Sequence, residues 1–208
     1  MKIALIGASG YVGTSLLREA LARGHQIVAI VRGTKPPKLH DARLHWARGD
    51  ATDPAILSGL VEGQDVVISA FNPVLDPAGS GMRTIVEGVK HAGVPRFLAV
   101  GGAGSLRLAD GTRVMDQPDF PLQWKAGAER TAAFLDLLRT EKELDWVFVS
   151  PAAILVPGER TGHYRLGNDE LVVDAKRESR ISLQDFAMAM LDEAEKPRHH
   201  RERFTVAY

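Results

Sequence analysis

Short apolar runs alternate along this chain with longer segments whose apolar residues recur every three or four positions. Ile3-Ala4-Leu5-Ile6 is uninterrupted, as in a strand covered on both faces. A helical pattern begins at Thr14-Ser15-Leu16-Leu17, and Arg23-Gly24-His25 closes it with a glycine cap. Residues 26–31 and 44–47 read as the second and third strands, and Asp53-Pro54 as a capped helix start. A fourth strand is predicted over 65–69. Met82, Ile85, Val86 and Val89 then predict a helix over 81–92, followed by a fifth strand over 96–100. Trp124, Ala128, Thr131, Leu135 and Leu138 form the apolar stripe of a long helix over 123–140, followed by a sixth strand over 145–149. The stretch 152–174 is turn-rich, with short strands such as Leu171-Val172-Val173. A helix from about 183 to 195, ended by Pro197, and a last strand over 203–208 complete the series. This alternation predicts one α/β domain over 1–208, a doubly wound, mostly parallel sheet with helices on both faces.

The first strand runs into Gly7-Ala8-Ser9-Gly10-Tyr11-Val12-Gly13, which opens the first helix. At this spacing Gly7 permits the tight turn, Gly10 lets a pyrophosphate approach the backbone, and Gly13 lets helix and strand pack closely. The N–H groups at the helix start then face a bound anion. The competing reading is an ordinary βα turn.

Other candidates fall at the carboxyl ends of the strands, where such a sheet holds its ligand. After the second strand, an NAD(H) site carries an acidic residue for the ribose hydroxyl. This chain has Arg32, Thr34, Lys35 and Lys38 there. A guanidinium suits a 2′-phosphate, so NADP(H) is expected over NAD(H); the alternative is a solvated basic loop. Asp50, in Gly49-Asp50-Ala51-Thr52-Asp53, is placed to accept from an adenine amino group, or else makes a plain turn. Ser69 and Ala70 are small enough for ribose and pyrophosphate to lie against them, and Phe71 follows. Gly101-Gly102-Ala103-Gly104-Ser105 falls beside the expected nicotinamide position, with residues 106–121 as a loop over the substrate side.

Charge narrows the function class. Lys plus Arg and Asp plus Glu both number 26 in 208 residues, which argues against a nucleic-acid partner. The absence of cysteine excludes disulfides and thiolate metal sites. His199 and His200 read as a solvated surface turn, so no metal is expected. With no signal-like start and no membrane-length apolar run, the expected location is cytoplasmic.

The motif Gly7 to Gly13 and the segment Gly49 to Asp53 resemble the Rossmann-fold atypical short-chain dehydrogenases/reductases. More particular are Asp145-Trp146-Val147-Phe148-Val149-Ser150-Pro151-Ala152, Pro157 to Arg165, Ser179-Arg180-Ile181-Ser182 and Arg203-Phe204-Thr205-Val206. These are similar to the compact bacterial NADH-flavin reductases, a group close to biliverdin/flavin reductase B and NmrA-like proteins. The resemblance implies an NAD(P)H-dependent reductase acting on a small-molecule acceptor, a flavin (FMN or FAD) or a related conjugated molecule. It leaves a non-catalytic NmrA-like sensor and a nucleotide-sugar epimerase as alternatives, and the oligomeric state open.

One departure matters. The familiar enzymes use Tyr-x-x-x-Lys, but none of the three tyrosines, Tyr11, Tyr164 and Tyr208, has a lysine four residues on. If Lys125 is the lysine, Pro121 occupies the tyrosine position. Hydride transfer to a flavin needs mainly positioning and water exclusion, so it tolerates this loss. Lys125, Ser105 and Tyr164 are the candidate catalytic residues. Lys125 and Pro151 are also expected at the cofactor, and Trp124 and Tyr164 are candidates to stack on an acceptor. The substrate side is expected from 102–124 and 151–178.

Overall fold

A computed structural model describes residues 1–33, 38–76 and 79–208. Eight strands form one sheet in the order β3-β2-β1-β4-β5-β6-β10-β8. They are β1 (Lys2–Ile6), β2 (Gln26–Val31), β3 (Leu44–Arg48), β4 (Val66–Ser69), β5 (Arg96–Val100), β6 (Asp145–Pro151), β8 (Arg165–Gly167) and β10 (Glu202–Ala207). Neighbours run parallel except β8, which pairs antiparallel with β10. The 3-2-1-4-5-6 portion is the order of a dinucleotide-binding sheet. Two short strands, β7 (Ile154–Val156) and β9 (Arg180–Ser182), pair separately.

Side-chain alternation along the strands builds the core in two layers. Ile3 and Leu5 of β1 face α1 (Tyr11–Ala22) and α5 (Leu183–Glu195), packing with Leu16, Leu17, Phe186 and Met190. Ala4 and Ile6 face the other layer: α2 (Pro54–Val61), α3 (Ser80–His91) and α4 (Leu122–Thr140), with Leu57, Ile85, Phe134 and Leu138. Caps set the helix starts. Asp53 accepts from the N–H groups of Ala55 and Ile56, both at 3.1 Å, with Pro54 in the first turn. Ser182 accepts from Asp185 N at 2.9 Å to start α5. Gly24, at φ +85°, follows the end of α1. Among the described residues, no helix is long and apolar enough to cross a membrane.

Two local expectations change. Leu171-Val172-Val173 is not a strand; Leu171 N instead donates to Arg107 O at 2.8 Å, which docks the segment on the loop after β5. The nearby strand is Arg165–Gly167, which completes the sheet edge. His199 is not solvated as a surface turn would be. It stacks on Phe204 with ring centroids 4.3 Å apart and places Nδ1 2.8 Å from Glu193, while His200 pairs with Asp145. Glu193 reaches His199 from the end of α5, six residues back, whereas Asp145 reaches His200 from β6, 55 residues away in the chain.

Candidate dinucleotide site

The glycine turn is held by close packing on three sides. Gly7 has φ +75°, and a Cβ there would lie 2.7 Å from Ala70 O, at the end of β4. A Cβ on Gly13 would lie 2.0 Å from Gly7 O, so α1 reaches its position only with glycine there. Gly10 N donates back to Gly7 O at 2.9 Å. Gly10 is itself the N-cap, in extended conformation, and no side chain caps α1. The orphan N–H groups of the first turn are therefore left for an anion.

This turn lies where β1 and β4 part, and a cavity of ≈ 570 Å³ occupies the crevice. Gly7, Ser9, Gly10, Tyr11 and Val12 line its middle. Arg32, Asp50 and Ala51 line one end; Ala70, Phe71 and Gly101 line the strand ends on the other side of β1. Asp50 accepts from Thr52 N at 2.9 Å and Thr52 Oγ1 at 2.8 Å. Those bonds hold its carboxyl below the usual carboxylate range, and the positive charge of Arg32 adds to the effect. A fixed anion and a cation thus share the end where an adenosine ribose belongs. Ala8 and Gly13 are buried behind the wall, as is Ser69, whose Oγ accepts from Phe71 N at 3.3 Å. Thr34 and Lys35 lie outside the described residues.

A second cavity, of ≈ 510 Å³, adjoins the first. Thr131 of α4 lines both, and the consecutive residues Gly101 and Gly102 line one each. Its walls are largely apolar, with Leu108, Val114, Phe120, Trp124 and Ile154 prominent. The cavity therefore draws on both stretches expected at the substrate side, 102–124 and the start of 151–178.

The candidate catalytic residues do not converge here. Ser105 Oγ accepts from Arg203 Nη1 at 2.9 Å and lines neither cavity. The Tyr164 phenol donates to Asp192 on α5; burial first, and that bond second, push its pKa up, so it stays protonated. Lys125 lies in the first turn of α4, where its ammonium donates to Met115 O and to Asp116 Oδ1, the latter at 3.1 Å. Pro151 is buried at the end of β6, outside both linings. Of the two stacking candidates, Trp124 faces the second cavity and is 61% exposed, whereas Tyr164 does not.

Thr131 is the site residue that periodicity conceals, because it sits in the apolar stripe of α4. Its Oγ1 donates to Gly127 O at 2.8 Å, and its methyl lies where a Cβ on Gly102 would come within 3.2 Å of it. The visible trace is the run of small residues Ala126-Gly127-Ala128 one turn before it, where α4 approaches the β5 turn. A Cβ on Gly104 would lie 2.7 Å from that of Ala128.

Known proteins share this architecture. The chain is 39% identical to the YwnB protein of Bacillus subtilis over 215 aligned residues, covering 99% of this chain and 98% of that one. A solved structure from Bacteroides thetaiotaomicron, provisionally named an epimerase, is 49% identical with a TM-score of 0.95, covering 100% of this chain and 96% of that one. Another, from Streptococcus pneumoniae and provisionally named an NADH-flavin reductase, is 37% identical with a TM-score of 0.86, covering 100% and 99%. The sequence pattern described as NAD(P)H-binding matches residues 7–194. With its glycine turn set in the crevice between β1 and β4, the chain belongs to the NAD(P)H-binding family and has the fold of an atypical short-chain dehydrogenase/reductase.

Proposed function

We propose that this protein is an NADPH-preferring reductase that passes hydride to a flat conjugated acceptor of the flavin or quinone type. The observation that carries the reading is the pair of abutting cavities, a dinucleotide crevice and an apolar chamber, that meet at Gly101–Gly102 and Thr131. The residues suit the dinucleotide: the glycine backbone and uncapped α1 for the pyrophosphate, Asp50 for adenine, and Arg32 for the 2′-phosphate. When bound, reduced nicotinamide supplies the hydride; the acceptor takes that hydride and one proton from water. The protein's own part is to hold two flat rings face to face and exclude water between them. Phe71 and Val100 bound the crevice near its junction with the chamber, and Trp124 and Phe120 offer faces on which an acceptor ring can lie. Such chemistry requires no tyrosine acid, in keeping with Pro121 at the head of α4. An epimerase reading lacks that tyrosine. An NmrA-like sensor reading leaves the apolar chamber without a role.

A steady-state assay of NADPH oxidation with riboflavin, FMN, FAD and menadione tests the reading. Turnover with at least one acceptor is expected. Calorimetric binding of NADPH and NADP⁺ with equal affinity, and no turnover with any acceptor, would favour the sensor.

A further inference from the structure

We infer that the acceptor is electrically neutral: an unphosphorylated flavin ring or a quinone is favoured over a phosphorylated flavin. This rests on the reductase reading above and adds a charge rule to it.

The chamber is polarised by its fittings. Among the described residues lining it, the charged one is Asp119, an exposed carboxylate at its opening, beside Gln117. Within the 102–131 stretch that supplies most of its wall, the cations Arg107, Arg113, Lys125 and Arg130 are each turned to another partner. Arg107 Nη1 donates to Gly111 O at 2.9 Å. Arg113 Nε meets Asp116 Oδ2 at 2.6 Å, and Lys125 takes the other oxygen of that carboxylate. Arg130 Nη1 donates to Val74 O at 3.0 Å, away from the chamber. Recognition of a phosphate draws on Arg, Lys or converging N–H groups. Here those four basic groups are absorbed by carbonyls and by Asp116, and a carboxylate stands at the mouth. A flat uncharged ring meets Trp124, Phe120, Leu108 and Ile154 without penalty. A phosphate-bearing tail leaving through the mouth passes Asp119 and is repelled. The two cavities are thereby sorted by charge, with Arg32 and a helix N-terminus for the anionic dinucleotide and an acidic rim for its acceptor.

Riboflavin and FMN test this directly, because they carry the same isoalloxazine ring and differ by one phosphate. With the intact protein and saturating NADPH, kcat/KM for riboflavin is expected to exceed that for FMN by roughly tenfold at low ionic strength. The ratio should shrink as salt is raised. Asp119→Asn should bring it toward one, and Asp119→Lys should favour FMN; both changes are at an exposed position. FMN used as well as riboflavin by the unaltered protein, or a ratio untouched by both substitutions, would overturn the inference. If neither flavin is reduced, tryptophan quenching in the NADP⁺-loaded protein decides the charge rule, and the reductase reading falls if FAD and menadione are not reduced either. Riboflavin quenching at lower concentration than FMN, with the signal lost in Trp124→Phe, upholds it. Equal binding, or no binding of either, overturns it.

Discussion

Arg203, buried on β10, donates from Nη1 to the Ser105 hydroxyl at 2.9 Å, tying the edge of the sheet to the turn that follows β5. Its Nε meets Asp169 Oδ1 at 2.7 Å, so the guanidinium clamps two loops at once. Ser105 is thereby assigned a supporting role instead of a chemical one. Ser105→Ala should lower stability by about 1–2 kcal/mol, because a buried donor loses its acceptor. It should alter kcat for NADPH oxidation by less than about threefold. A drop of a hundredfold or more, the size expected on removing a group that moves a proton, would return Ser105 to the chemistry.

The adenosine end predicts coenzyme choice. Arg32→Ala should weaken NADPH binding by about 1.5–3 kcal/mol, roughly ten- to a hundredfold, with NADH far less affected. Paired calorimetric titrations read the difference. Equal losses for both coenzymes would remove Arg32 from the 2′-phosphate.

Lys125 separates two arrangements. Its ammonium rests on Met115 O and Asp116, so Lys125→Met should leave the dissociation constant for NADP⁺ within about threefold and chiefly loosen the 112–117 turn. A tenfold rise in that constant would mean that the side chain leaves Asp116 for the nicotinamide ribose when the dinucleotide binds.

Glu19 predicts an acid limb to stability. It is buried on α1 and grips Arg160 with both oxygens, each at 2.9 Å, while Arg23, the residue after that helix, also donates to it. The hydrogen bond from Arg160 is the largest influence. With help from Arg23 it outweighs burial, holding the carboxyl below its ordinary 4.5. A lowered folded value means that the stabilisation is complete above about 4.5 and is lost as pH falls through the folded value. Thermal melts should therefore show Glu19→Gln costing more at pH 7 than at pH 3. An equal loss at both would deny the linkage.

How much of this was legible in the sequence follows from the range of the interactions. Ile3 to Gly13 could be read almost completely, because strand, turn and helix are local and the glycines answer to contacts within the unit and with Ala70. Asp53 and Pro54 announced α2 for the same reason. Ser105 is a candidate because it follows the fifth strand beside the expected nicotinamide position, and Tyr164 because its ring can stack on an acceptor. Their partners, Arg203 and Asp192, stand 98 and 28 residues away, and nothing local foretells them. Leu171-Val172-Val173 has the composition of a strand, but the pairing partner that segment meets is Arg107 in a loop. Thr131 was hidden by its own helix: its value lies in where α4 crosses Gly102, which is a tertiary fact.

The segment after Leu106 closes largely upon itself. Leu108 N donates to Thr112 O, Asp110 accepts from Thr112 N, and Gln117 reaches Thr112 Oγ1, while Arg107 makes the links to Asp169 and Leu171. Such a segment is a cassette: its internal wiring travels with it, and few attachments need matching at the seams. A graft of 107–121, which takes Asp119 and Phe120 with it, should carry acceptor preference across and leave coenzyme preference behind.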